Sequence, residues 1–296
     1  MPKTAKELRN GRDGGLYFRS AKIPEFFSSG CSLLDCVLGG GYPLGRVVNI
    51  VGDKSTGKTL LAIEAAANFA EKFDGPIIYN ECESAFDDQY AAVLGLPMDR
   101  TRLVQGCLTV EEVFEDMQAL IKRLSGRKAG LYILDSLDAL SDRAEIGRTI
   151  DEASYGAEKA KRMSQLFRRL IQRLAEKRIT VIIVSQVREA IGVRFGRKTR
   201  RSGGRALDFY ACQVLYLAQT AILYRTAQNQ KRAIGIEVRA KCDKNKIGMP
   251  FRECRFPILF GFGIDDVAAG LAWLKEAGGL DALGLRRQGY DAIMNK

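Results

Sequence analysis

The residues from Gly52 to Thr59 fit the phosphate-binding loop pattern G-x-x-x-x-G-K-[ST] at every position. The glycines let backbone N–H groups surround a phosphate chain, and a following helix adds its partial positive charge. In this pattern Lys58 reaches the β- and γ-phosphates, and the hydroxyl of Thr59 holds Mg²⁺. The candidate nucleotide-binding residues are Gly52, Asp53, Lys54, Ser55, Thr56, Gly57, Lys58 and Thr59. The motif predicts a protein that binds a nucleoside triphosphate with Mg²⁺.

Three further polar positions follow apolar runs that are typical of strands. Asp135 ends the run 130–135 and is the expected second carboxylate on the metal side, acting through water. A second run, 77–80, is followed by Glu81 and Glu83, and either glutamate could polarise a water for attack on the γ-phosphate. A third run, 180–184, leads to Gln186, which could sense the γ-phosphate. Because the chain has no histidine, hydrolysis must use a carboxylate as its base.

A dense run of cations comes directly after Gln186. Between Arg188 and Arg205 there are seven cations and one acid, with glycines and three apolar side chains interspersed. This composition is more typical of a loop that contacts a nucleic-acid backbone and its stacked bases than of a merely solvated loop. The candidate contacts that this run supplies are Arg188, Ile191, Arg194, Phe195, Arg197, Arg200, Arg201 and Arg205.

Composition limits the class of protein. The chain has 296 residues, 46% hydrophobic residues and a formal net charge of +11, which favours a polyanionic partner. It contains neither an apolar run long enough for a membrane span nor a signal-peptide pattern, so we expect a cytoplasmic protein. Its seven cysteines include no C-x-x-C pair, so buried reduced thiols are expected rather than a zinc site.

The elements that must position these residues alternate between strands and helices. Residues 47–51 read as the strand before the phosphate loop, and the helices are predicted at 60–73, 110–124 and 157–177. From residue 211 onward the pattern becomes β-rich, with strands predicted at 214–217, 221–224, 234–240 and 256–260. We therefore predict an α/β fold whose mostly parallel central sheet, flanked by helices, is extended by antiparallel strands.

These motifs, in this order, resemble the bacterial RecA recombinase family over residues 27–264. The most specific stretches are 136–146 (SLDALSDRAEI), 162–165 (RMSQ), the gap-free match at 186–210, and Lys-Asn-Lys-Ile at 244–247 followed by Pro-Phe at 250–251. The resemblance implies a RecA-like P-loop ATPase core that forms homo-oligomeric helical filaments on single-stranded DNA. It also implies DNA-stimulated ATP hydrolysis and strand exchange with homologous double-stranded DNA.

The resemblance also assigns roles to individual residues. It selects Glu83 as the catalytic glutamate and Gln186 as the residue that couples ATP to the DNA loop. Asp87 and Tyr90 fall where the family contacts adenine. Lys244 and Lys246 match lysines that reach the γ-phosphate of a neighbouring subunit, and Phe209 matches an interface phenylalanine. The further DNA contacts implied by the match are Tyr155, Ser164, Arg168, Arg188, Gly203 and Gly204.

Departures from the family define the expected domain organisation. Residues 1–29 form an N-terminal arm, shorter than usual, for subunit linkage, and residues 30–264 form the ATPase core with DNA loops at about 145–156 and 187–205. Residues 265–296 are a short C-terminal extension in place of the family's duplex-gathering domain. We expect a compact, phage-like relative that works at the nucleoid of a bacterial or phage-infected cell.

Two other functions keep the same fold. One is a DNA-binding accessory or signalling protein without strand exchange, which the intact Lys58, Glu83 and Gln186 argue against. The other is a hexameric helicase, against which the loop 188–205 and the Lys-Asn-Lys stretch favour a recombinase.

Overall fold

The structure, a computed structural model, describes residues 25–84, 86–126, 128–146, 157–189, 199–201 and 204–279. The strands of these ranges, numbered in chain order, are β1 (Phe26–Phe27), β2 (Tyr42–Pro43), β3 (Val47–Gly52), β4 (Ile77–Glu81), β5 (Thr101–Gln105), β6 (Gly130–Asp135), β7 (Ile179–Glu189), β8 (Thr199–Arg201), β9 (Gln213–Ala227), β10 (Gln230–Asn245), β11 (Arg252–Leu259) and β12 (Gly263–Ile264). The helices are α1 (Ser32–Leu38), α2 (Lys58–Lys72), α3 (Asp88–Val93), α4 (Val110–Arg123), α5 (Arg143–Ile146), α6 (Ala157–Glu176), α7 (Gly204–Tyr210) and α8 (Asp266–Glu276), with a 3₁₀ turn at Leu137–Ala139.

One large sheet carries the strand order β12-β11-β10-β9-β3-β7-β6-β4-β5, with β8 paired to β7, while β1 and β2 form a separate two-stranded sheet. The pairs from β9 through β3, β7, β6 and β4 to β5 are parallel. Strands β9 to β12 pair antiparallel. The predicted α/β fold with a mixed sheet is therefore confirmed. The carboxyl ends of all the parallel strands lie along one side of this sheet.

The two faces of the sheet bury different helices. Val48 and Ile50 of β3 face a cluster that includes α1 and α2, whereas Val47 and Val51 face a cluster that includes α4 and α6. This alternation is the period of two expected of a strand buried on both sides. Helix α4 starts at a capping box formed by Thr109 and Glu112, which satisfies N–H groups that the first turn leaves free. None of the described helices has the length and apolarity to cross a bilayer.

Several predicted boundaries were wrong. The two strands predicted at 214–217 and 221–224 are one strand, β9, and its partner β10 begins at Gln230 rather than Ile234. Their outer halves are exposed, so they lack the buried apolar pattern on which the prediction relied. Strand β5 was missed because it lies at the edge of the sheet and has only one strand neighbour.

Candidate functional site

The phosphate loop lies between β3 and α2, as the sequence predicts. A Cβ atom on Gly52 would lie 2.6 Å from Thr56 Oγ1 and 2.9 Å from the carbonyl oxygen of Leu217. Gly57, the residue before α2, has a φ of 82°, and a Cβ there would lie 2.4 Å from Ile258 Cδ1. A side chain at either position would displace its neighbours, so both motif glycines are sterically required.

Lys58 folds back onto its own loop. Its Nζ donates to the carbonyl oxygen of Asp53 at 2.6 Å, and Thr56 Oγ1 donates to the same oxygen at 2.9 Å. Burial lowers the pKa of Lys58, while the nearby charges of Asp135 and Glu83 oppose that shift. A bound polyphosphate would give this buried ammonium an anionic partner in direct contact.

Asp135 and Thr59 form the candidate metal side of the site. Asp135 is 6% exposed, and its Oδ2 accepts a hydrogen bond from the hydroxyl of Tyr79 at 2.8 Å. Burial raises the pKa of Asp135, and a side-chain hydrogen bond with Thr59 works against that shift. A buried carboxylate beside a hydroxyl is a set of oxygen donors that suits Mg²⁺, so these residues fit the ion that the sequence predicts.

The structure separates the two candidate glutamates. Glu81, in register with Asp135, is 4% exposed, and its Oε1 accepts from the backbone N–H of Glu83 at 2.8 Å. Glu83 is exposed, and its Oε1 accepts from the hydroxyl of Ser136 and from Gln186 Nε2, the latter at 3.2 Å. Glu83 is therefore available to a water at the strand edge, whereas Glu81 holds the backbone beneath it.

Gln186 meets the phosphate loop because β3 and β7 are parallel neighbours. Gly52 and Gln186 are partners in the register of these strands. The backbone N–H of Gln186 donates to Asp138 Oδ2 at 2.6 Å. Glu83, Gln186, Asp135 and the loop thus converge at one edge of the sheet, although they lie far apart in the chain.

Lys244 and Lys246 lie at the opposite end of the parallel strands, level with the start of β3. Asn245, between them, pairs with Gln213, which pairs with Val48 at the start of β3. Both ammonium groups donate to the carbonyl oxygen of Phe209, at 3.1 Å and 3.0 Å. Phe209 is itself 70% exposed. The structure does not bring these two lysines to the phosphate loop of their own chain.

The two residues matched to adenine contacts lie at the start of α3. Asp87 is the N-cap of this helix, and its Oδ1 accepts from the backbone N–H of Tyr90 at 2.9 Å. Tyr90 is half-buried against the α2 side of the core. A base contact by either residue stays a prediction.

The candidate DNA contacts lie in several parts of the chain. Ser164 and Arg168 are one turn apart on α6, where Arg168 is exposed. Residues 187–189 and 199–201 form an antiparallel pair that includes Arg188 opposite Arg200, although the side chains of Arg188, Arg200, Arg201 and Arg205 are outside the described part. The remaining predicted contacts lie wholly outside it, namely Tyr155, Ile191, Arg194, Phe195, Arg197 and Gly203. Gly204 is the first residue of α7.

Sequence reasoning missed two residues of this site. Ser136 donates to Glu83, and Asp138 accepts from Gln186. The signal available was their position, one and three residues after the carboxylate that ends β6. That position places a side chain at the strand edge without naming its partner.

The chain matches one protein family over most of its length. The family model described as the RecA N-terminal domain matches residues 16–265. Protein RecA of Streptomyces venezuelae is 39% identical over 267 residues, which cover 88% of this chain and 68% of the relative. Protein RecA of Synechococcus sp. (strain CC9902) is 37% identical over 254 residues, with coverages of 86% and 65%, and that of Streptomyces ambofaciens is 37% identical over 267 residues, with 88% and 69%. The chain thus spans about two thirds of the length of these relatives.

Proposed function

Because the chain belongs to the RecA family, we propose that it is an ATP-dependent homologous recombinase. It forms helical filaments of identical subunits on single-stranded DNA, hydrolyses ATP when DNA is bound, and exchanges strands with homologous double-stranded DNA. The observation that carries this proposal is the contact of Glu83 with Gln186 beside the phosphate loop. That contact joins the catalytic carboxylate to the residue from which the basic loop 187–205 departs.

The hydrolytic step needs positioning and charge stabilisation more than covalent chemistry. Glu83 orients the attacking water and accepts its proton, while Lys58 leaves the Asp53 carbonyl to bind the β- and γ-phosphates. Thr59 and Asp135 would hold Mg²⁺, Asp135 through water, and the bound ion would neutralise phosphate charge. Asp87 and Tyr90 contact the adenine.

The neighbouring subunit completes the site. Lys244 and Lys246 lie level with the start of β3, whereas their own phosphate loop follows its end, and the exposed Phe209 beside them supplies an apolar contact for the next subunit. The lysines act on a γ-phosphate across that interface, as an arginine finger does. Such a head-to-tail interface builds an open helix when the rotation does not close.

The two DNA loops, about 145–156 and 187–205, contact the bound DNA strand, together with Ser164 and Arg168 of α6. Residues 30–264 are the ATPase core, residues 1–29 the arm that links subunits, and residues 265–296 a short extension. A protein of this function works in the cytoplasm, at the nucleoid of a bacterial or phage-infected cell.

Electron microscopy with single-stranded DNA and a non-hydrolysable ATP analogue tests the proposal, together with ATPase rates with and without DNA. We expect helical filaments and a DNA-dependent rate, both lost in Lys58→Ala. Closed rings would identify a helicase. DNA binding without filaments or strand exchange would identify an accessory protein.

A further inference from the structure

Strand β7 extends beyond the end of its neighbour β6 just before the basic loop begins. Strand β6 ends at Asp135, and the last pair between β6 and β7 is Leu134 with Ile183. Val181 donates its N–H to Arg46 on the β3 side, so by the alternation along a strand the N–H of Gln186 points to the other side, beyond the end of β6. A backbone donor in that position needs another acceptor.

Asp138 supplies that acceptor from the turn that follows β6. Its Oδ2 lies 2.6 Å from the backbone nitrogen of Gln186. The 3₁₀ turn that carries Asp138 is fixed, because Leu137 and Leu140 are buried and Lys159 Nζ donates to the carbonyl oxygens of both. The carboxylate is therefore presented from a rigid base.

The N-cap of the same turn, Ser136, contacts the catalytic glutamate. Ser136 donates to Glu83, and Gln186 Nε2 donates to the same Oε1 of Glu83 at 3.2 Å. One turn thus fixes the backbone of Gln186 and one partner of Glu83, and the Gln186 side chain spans the space between them. Losing the Asp138 contact would release the strand end that aims this side chain.

We propose that Asp138 is a positioning residue that anchors the end of β7, so that Gln186 contacts Glu83 and passes nucleotide state to the loop 187–205. The inference rests on the proposed function and extends it to Asp138, a residue outside the phosphate loop that binds the backbone N–H of Gln186. A hydrogen bond from a backbone N–H to a carboxylate is among the stronger hydrogen bonds in proteins. Removing it would allow the start of the loop to move independently of the nucleotide site.

The main test compares Asp138→Ala with Asp138→Asn, which keeps an acceptor oxygen. The readout is the ratio of single-stranded DNA affinities with an ATP analogue and with ADP, which measures the coupling between the two sites. We expect Asp138→Ala to reduce this ratio by about tenfold or more. The DNA-stimulated kcat should fall with it, while ATP-analogue affinity without DNA changes by less than about twofold, since the phosphate loop is untouched. Asp138→Asn should stay within about threefold of the wild type.

Asp265→Ala is the matched control, because it removes an aspartate that accepts from a backbone N–H at 2.9 Å at the start of α8. It should leave the coupling ratio unchanged. A wild-type ratio in Asp138→Ala, or equal losses of Tm and of all affinities in the two alanine variants, would overturn the inference.

Hydrogen exchange of the wild-type protein tests the same contact even if Asp138→Ala fails to fold. The amide of Gln186 should be protected, and its exchange should change when the ATP analogue binds. Exchange at the rate of an unstructured amide would refute the contact. A wild-type protein whose ATPase ignores DNA would instead refute the proposed function.

Discussion

The most discriminating prediction concerns which subunit supplies the lysines of the γ-phosphate site. Gln213 lies beside Val48 and Leu217 beside Gly52, so four residues separate the level of the lysines from that of the phosphate loop. At about 3.3 Å per residue this is about 13 Å along the strands, and an extended lysine side chain spans about 6 Å. Each lysine pair is therefore expected to serve a neighbour's site.

Mixing two inactive variants measures this directly. Lys244→Ala/Lys246→Ala removes the lysines and keeps the phosphate loop, whereas Lys58→Ala does the reverse. In a random equal mixture, an active site needs an intact loop from one variant and intact lysines from its neighbour, which gives about one quarter of the wild-type sites. The assay measures the DNA-stimulated rate at which phosphate is released from ATP at fixed total protein, with each variant alone as the control.

A recovery near one quarter supports the shared site. If the mixture stays as inactive as its components while electron microscopy shows mixed filaments, the lysines act within their own subunit and the reasoning from strand register is wrong. Activity of the double lysine variant alone would remove these residues from the site altogether.

Three other outcomes are expected. Glu83→Gln should retain ATP and DNA binding but trap the filament, since only the water-activating carboxylate is lost; rapid DNA release, followed by fluorescence, would contradict this role. Replacing Arg197, Arg200 and Arg201 by Ala should flatten the salt dependence of DNA affinity by about one to three units if each contacts a phosphate; an unchanged slope would return the segment to a solvated loop. Burial raises the pKa of Asp135 in the folded protein. As the pH rises through that pKa, the buried carboxyl ionises and the folded state loses stability relative to the unfolded state. Asp135→Asn should therefore raise the Tm of the nucleotide-free protein at neutral pH and weaken binding of Mg²⁺ with ATP, and a lower Tm would contradict the assigned cost of burial.

The sequence by itself determined the identity of the chemistry. The phosphate loop, its flanking strand and the carboxylate of Asp135 were all readable because each depends on local pattern: glycines where the backbone must turn, and apolar runs where strands are buried on both faces. The helices at 110–123 and 157–176 were predicted to within one residue, since their apolar periodicity is also local. The order of motifs sufficed to indicate the family.

Only the tertiary structure decided which residues meet. Strand order places β7 beside β3 and thereby puts Gln186 next to Gly52, a juxtaposition that no spacing along the chain contains. The local pattern left Glu81 and Glu83 open and the family resemblance selected Glu83, but only burial gives a physical difference between these two carboxylates. Register across β9 and β10 placed Lys244 and Lys246 at the far edge of the sheet. These facts depend on how strands pack sideways, because the free energy of that packing comes from contacts between residues that are distant in sequence.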